Sequence, residues 1–148
     1  MELKFGIVGS GSIAKVHAEC IRSIPNASLV GLYTQNSKRN KELSSIFKTS
    51  IFNDRSVFFS HPEINCIVVC NESGKHGDTI KQASENGKHV LCEKPLEVSL
   101  NKIDQIAKII KKNKIILSVV FQNRWNTEYQ RLKNAVERGL LGKILLSQ

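Results

Sequence analysis

Two short stretches carry residue types whose spacing can do chemistry. Gly9-Ser10-Gly11-Ser12-Ile13-Ala14 fits the pattern G-x-G-x-x-G/A. In such a turn the first glycine permits the tight bend and the second lets backbone approach a pyrophosphate. The third position, here Ala14, lets a helix pack closely on a strand, while the helix N-terminus offers N–H donors and positive dipole. NAD or NADP is therefore the expected cofactor, with Gly9, Ser10, Gly11, Ser12 and Ile13 around it. The alternative is a glycine turn that serves packing alone. The second stretch is Cys92-Glu93-Lys94-Pro95. A lysine at the carboxyl end of a strand can donate to a substrate hydroxyl or carbonyl, and can act as acid or base where burial lowers its pKa. Pro95 restricts the residue before it to extended conformations.

These stretches need elements to position them, and the hydrophobic pattern supplies six strand–helix pairs. Leu3 to Val8 reads as a strand; Ile13, Val16, Cys20, Ile21 and Ile24 recur at helical spacing until Pro25. Leu29 to Tyr33 is a second strand, followed by a helix around Lys38 to Phe47, and Ile51-Phe52 a short third. Asn53-Asp54 can cap a helical turn. Asn65 to Cys70 is an apolar run of buried-strand length. A helix from Lys75 ends at the left-handed cap Asn86-Gly87, and His89 to Cys92 is a fifth strand. Leu100, Ile103, Ala107 and Ile110 form a helical stripe after Ser99, a candidate N-cap. Ile115 to Phe121 is a sixth strand, Glu128 to Arg138 a last helix, and Leu141 to Leu146 the start of one more strand. Alternation of this kind predicts an α/β Rossmann-type fold, a doubly wound parallel sheet between two helical layers. The expected division is a dinucleotide-binding domain over 1–120, with 121–148 leading into a C-terminal substrate domain absent from this chain.

The pattern leaves the cofactor's phosphate state open. An acid about 20 residues beyond the turn commonly holds the adenosine ribose hydroxyls. Thr34-Gln35-Asn36 stands there instead, and the nearest acid downstream is Glu42. Thr34, Ser37, Lys38 and Arg39 can receive a 2′-phosphate; equally, Lys38 and Arg39 can be a solvated first turn.

Composition narrows the function classes. The 148 residues carry 22 Lys and Arg against 13 Asp and Glu, a net charge of +9. The excess is spread along the chain without aromatic interleaving, so no nucleic-acid partner is expected. No stretch is long and apolar enough for a bilayer, and the N-terminus lacks a signal-peptide core. Cys20, Cys66, Cys70 and Cys92 show no C-x-x-C spacing. A cytosolic protein with reduced thiols and no metal is the expectation.

The chain resembles the N-terminal half of the Gfo/Idh/MocA oxidoreductases. The likeness rests on the glycine turn, on Asn71-Glu72-Ser73-Gly74-Lys75-His76, and most specifically on Gly87-Lys88-His89-Val90-Leu91-Cys92-Glu93-Lys94-Pro95. Asn71-Glu72-Ser73 replaces the family's common T-P-N, and Thr34-Gln35 its acid or Ser-Arg pair. The segments Phe121 to Asn126, Arg131 to Lys133 and Gly139 to Ile144 are similar to the sugar-nucleotide branch. The resemblance implies an NAD(P)-dependent dehydrogenase acting on a sugar or sugar-nucleotide hydroxyl. In it Lys94 would contact the hydroxyl being oxidised and Glu93 would orient it and the cofactor. Thr34, Gln35, Asn71, Ser73, His76 and Gln122 would face the cofactor, and Arg124 the substrate. The family's D-x-x-x-H histidine belongs to the C-terminal domain, and none of His17, His61, His76 or His89 fits it. A homo-oligomer is implied for a full-length protein, and a monomer or weak dimer for these residues alone. A stand-alone, non-catalytic dinucleotide-binding or regulatory module is the competing reading.

Overall fold

Side chains of a parallel strand point alternately to two faces, and the first strand shows both faces buried. A computed structural model describes residues 2–146. In β1 (Leu3–Val8), Phe5 and Ile7 face one layer, while Val8 faces the other, joined by Gly6, where a Cβ would lie 2.7 Å from the Phe58 ring. Burial on both sides is the signature of a parallel sheet covered by helices.

The chain continues through α1 (Ser12–Ser23), β2 (Ala27–Tyr33), a 3-10 turn at Ser37–Arg39 and α2 (Asn40–Phe47). Then come β3 (Ser50–Phe52), α3 (Arg55–Ser60), β4 (Cys66–Val69), α4 (His76–Glu85) and β5 (His89–Cys92). α5 (Leu100–Asn113), β6 (Leu117–Val119) and α6 (Thr127–Glu137) complete the described elements. The six strands are parallel in the order β3-β2-β1-β4-β5-β6. The direction of winding reverses between β1 and β4, which opens a crevice at their carboxyl ends.

Two cores flank the sheet. On one face Ala14, Ala18 and Ile21 of α1 and Leu43 and Phe47 of α2 cover Phe5, Ile7, Leu32, Cys66 and Val68. On the other, Phe58 and Phe59 of α3, Ile80 and Ala83 of α4 and Ile106 of α5 cover Val8, Tyr33, Ile67, Val69 and Val90. Ala14 is fully buried, as close packing of α1 on the sheet requires. The Asp54 carboxylate accepts from the Val57 N–H at 2.9 Å and caps α3.

Four expectations need correction. β4 and β6 are shorter than their apolar runs. Asn65 lies just outside β4: its backbone still donates to the Lys4 carbonyl at 2.9 Å and accepts from the His89 N–H at 3.0 Å, while its side chain accepts from the Lys4 N–H and donates to the Glu2 carbonyl. β6 has β5 as its sole partner among the described strands and begins only after Lys114 has turned left-handed at φ 54°. Ser99 occupies the N-cap position of α5 without a side-chain hydrogen bond. Finally, no strand forms over 141–146. Gly139 and Gly142 both take positive φ and fold the chain into a turn, and among the described residues no strand pairs with the exposed Leu145 and Leu146. Helix α6 buries no residue, leaving Tyr129, Leu132 and Val136 exposed along one face.

Candidate dinucleotide crevice and lysine loop

Strand register alone gathers the chemistry. Val8 pairs with both Tyr33 and Val69, Val69 with Cys92, and Cys92 with Val119. The next residue of each strand therefore lies on a common row at the sheet's carboxyl edge: Gly9, Thr34, Cys70, Glu93 and Val120. Backbone bonds fix the row, with Cys70 N–H donating to the Val8 carbonyl at 2.8 Å and Glu93 N–H to the Val69 carbonyl at 3.0 Å.

The two glycines of the turn answer different demands. Gly9 takes φ +111°, and a Cβ there would stand 2.5 Å from the Cys70 carbonyl oxygen. Only glycine satisfies both conditions. Gly9→Ala is accordingly expected to cost at least ~1–3 kcal/mol through strain, read as a melting temperature several degrees lower. Gly11, the N-cap of α1, has ordinary extended dihedrals and nothing within 4 Å of its Cβ position. The fold does not need glycine at 11, but a ligand approaching the helix N-terminus does.

Two clefts of about 490 Å³ each share Cys70 and Asn71 as a common wall. The first runs from Gly9, Ser10 and Gly11 to Thr34, Gln35 and Asn36, with Arg55 and Lys75 at its mouth. The second holds Ile13, Ser73, His76, Glu93, Lys94 and Gln122, with His17 and Val120. The Asn71 side-chain oxygen in the shared wall is buried and lacks a hydrogen-bond partner, while its nitrogen donates to Thr79 Oγ1 at 3.1 Å. A buried acceptor without a donor is costly. A ligand hydroxyl passing between the clefts would supply one, so turn, open Gly11 and Asn71 together fit a dinucleotide.

The lysine loop is braced from both helical layers. Glu93 is buried; His17 Nε2 lies 2.8 Å from one of its carboxylate oxygens, and the other accepts the Lys94 main-chain N–H at 3.2 Å. His76 is also buried, its Nδ1 2.8 Å from the Pro95 carbonyl and its Nε2 2.9 Å from the Asn71 carbonyl. Whichever ring nitrogen carries the proton donates to a carbonyl of the loop after β4 or β5, and His76 packs between the two loops, although it borders the cleft. Glu97 secures the far end. Burial would raise its carboxyl, but N–H donors from Val98 at 2.7 Å and Gly77 at 2.9 Å, with Lys102 and His76 beyond, hold it below the usual carboxylate range. Lys94 itself is exposed on the cleft rim, and the Lys94–Pro95 bond is cis. Cys70 and Cys92 are poor nucleophiles: burial, then the Glu93 charge, pushes both thiols up to about 12.

Several expected site residues lie elsewhere. Ser12 opens α1 but lines neither cleft. Arg124 turns away, its guanidinium 5.2 Å over the Phe121 ring, beside Tyr129 and Gln130. Arg39 is committed to a two-bond pair with Glu42 at 2.9 and 2.7 Å, and neither it nor Lys38 lines the first cleft. The positive groups lining the first cleft are instead Arg55, stacked on Tyr33 and Phe59, and Lys75. Sequence reasoning missed Arg55 and His17. Arg55 was signalled by its position just beyond the carboxyl end of β3; His17 by the helical stripe it shares with Ile13.

A parallel sheet with a glycine turn, an α1 N-terminus and a ligand-sized crevice at its switch point defines a Rossmann-type dinucleotide-binding domain. Residues 3–121 match the profile of an oxidoreductase family with an NAD-binding Rossmann fold, and the chain belongs to that family, Gfo/Idh/MocA. It is 29% identical over 142 residues to myo-inositol 2-dehydrogenase of Thermotoga maritima, covering 95% of this chain and 42% of the relative. Glucose-6-phosphate 3-dehydrogenase of Bacillus subtilis is 30% identical over 142 residues, covering 96% and 40%. The scyllo-inositol dehydrogenase of Lactobacillus casei, solved with NAD(H) and scyllo-inositol bound, superposes with a TM-score of 0.87 at 26% identity, covering 97% of this chain and 43% of that one. The chain thus spans about two fifths of the length of these relatives.

Proposed function

We propose that this chain is the dinucleotide-binding part of an NAD(P)-dependent oxidoreductase. The reaction moves a hydride between the nicotinamide and the carbon bearing a secondary hydroxyl of a cyclic polyol, sugar or sugar nucleotide, with the hydroxyl proton passing to a base. One observation carries the reading: Glu93 shares a row with Gly9 and Lys94 follows it directly, while Asn71, whose side-chain oxygen is unpartnered, lines both clefts. The names of the relatives favour an inositol or a sugar phosphate as substrate.

The chain's own residues divide the work. The Gly9–Gly11 backbone and the α1 N-terminus hold the pyrophosphate by N–H donors and dipole. Thr34, Gln35 and Asn36 take the adenosine ribose, and Asn71 accepts from a ribose hydroxyl at the middle of the cofactor. Ser73 and Gln122 border the nicotinamide end. When bound, the nicotinamide accepts or returns the hydride. Lys94 Nζ donates to the substrate oxygen or takes its proton as the carbonyl forms. In the longer form typical of the relatives, residues 121–148 lead into the domain that holds the substrate, and the exposed apolar face of α6 packs there. We place the protein in the cytoplasm as a homo-oligomer in that form; no described helix is long and apolar enough to cross a membrane.

Titration calorimetry with NAD and NADP at matched salt tests the reading. Thr34 and Gln35 present no carboxylate to repel a 2′-phosphate, while Arg55 is drawn over two aromatic rings and Lys75 is paired with Glu72 at 3.2 Å. Both cofactors are expected to bind, with affinities within about tenfold of each other. Absence of heat with either at millimolar concentration would remove the proposal.

A further inference from the structure

The most sheltered ion-pair candidate among the described residues joins two stretches 76 residues apart. Helix α1 starts at the phosphate turn and presents Ile13, Val16, His17 and Cys20 as one stripe along the second cleft. From that stripe His17 Nε2 reaches Glu93 Oε1 at 2.8 Å, the two side chains being 14% and 10% exposed. Glu93 Oε2 accepts the Lys94 N–H at 3.2 Å, and the Glu93 N–H is fixed to the Val69 carbonyl at 3.0 Å. Among the described residues no other side chain donates to this carboxylate. Whether the ring is neutral or charged, the contact needs a proton on Nε2 aimed at the carboxylate. At such low exposure the bond is worth more than a surface pair, and removing the donor leaves a sheltered charge without its partner.

We infer that His17 is a positioning residue: through Glu93 it sets the main chain of Lys94, and with it the nicotinamide end of the cofactor site. The pyrophosphate at the start of α1 and the amine of Lys94 are thereby referenced to one rigid helix. Movement of α1 displaces both together, so cofactor seating and lysine placement are coupled. The inference rests on the role proposed for Lys94. His17 touches neither cofactor nor substrate in this scheme; it acts only through the carboxylate.

The test compares His17→Ala, His17→Gln, Glu93→Gln and the double variant His17→Ala/Glu93→Gln in the 148-residue chain. Two quantities are read: calorimetric affinity for NAD and for ADP-ribose, and the side-chain NMR signal of Lys94, assigned by its loss in Lys94→Ala. His17→Ala is expected to move the Lys94 signal in the ligand-free protein. It should also weaken NAD about tenfold and leave ADP-ribose, which lacks the nicotinamide, unchanged. His17→Gln keeps an N–H that can reach the carboxylate and restores both readouts. The double variant is no worse than the worse single one, because both changes break one chain of contacts. An unmoved Lys94 signal in His17→Ala, or equal losses of NAD and ADP-ribose, would overturn the inference and leave His17 a helix residue only. Should His17→Ala fail to fold, Glu93→Gln is measured in its place: a moved Lys94 signal with a selective loss of NAD supports the inference, and an unmoved signal overturns it. If the wild-type chain binds no NAD the functional reading falls, while the Lys94 signal in the ligand-free protein still decides the role of His17.

Discussion

Aspartate at position 11 is expected to leave the protein as stable as before, or slightly more so, and to abolish its stabilisation by NAD. Gly11 is the N-cap of α1 with φ −78°, a conformation open to any residue, and its Cβ position meets no atom within 4 Å. Aspartate is a favoured N-cap and complements the helix dipole, a gain of up to about 1 kcal/mol. The same carboxylate would stand where the pyrophosphate must approach and would repel it. For the wild type, ligand at a hundred times its dissociation constant adds about 2.7 kcal/mol, or roughly 5–10 °C at this chain length. Gly11→Asp should show none of that rise. Gly9→Ala provides the contrast, since its damage precedes any ligand. If Gly11→Asp retained the full shift, the turn would not be the phosphate site, whatever its sequence.

The contrast between the two glycines also shows where sequence is informative. A local pattern is legible when every residue in it answers to its neighbours. The glycine turn, the packed Ala14 and the Asp54 cap all stand where periodicity and capping rules put them. Pairings across the sheet are another matter. His17 and Glu93 meet because α1 lies over the row formed by β1, β4 and β5, and nothing local in either segment announces the other. Lys38 and Arg39 stood near the right strand end, yet Glu42, one helical turn on, takes Arg39 away, and Arg55 reaches the cleft from beyond β3. Apolarity from Leu141 to Leu146 suggested a strand, but a strand requires a partner edge, and two left-handed glycines turn this segment back on itself. The turn and the layers were thus legible in the sequence, while the contacts of the Glu93 carboxylate next to Lys94 emerged only from the register.

Catalysis gives the second large expected effect. The 148-residue chain, supplied with NAD and either an inositol, glucose 6-phosphate or a sugar nucleotide, is expected to form no detectable NADH. Lys94 stands exposed on the rim, and no described element faces it from the substrate side. Of the histidines that could share proton transfer, His17 is held by Glu93 and His76 sits between two carbonyls. His61 packs edge-on against Phe52, and His89 accepts from the Ile116 N–H at 3.0 Å. Orientation of substrate against cofactor is worth up to ~7–11 kcal/mol, and an open rim supplies little of it. In a form extended to the length of the relatives, turnover should appear. There Lys94→Ala should lower kcat by ~10²–10⁴-fold through loss of proton transfer, with the NAD dissociation constant unchanged because the pyrophosphate turn is untouched. A coupled assay following NADH absorbance, run beside calorimetry on the same variant, separates the two effects. Turnover by the 148 residues alone that vanished in Lys94→Ala would mean that this rim already forms a complete active site, and the proposed division of labour between the two domains would have to be abandoned.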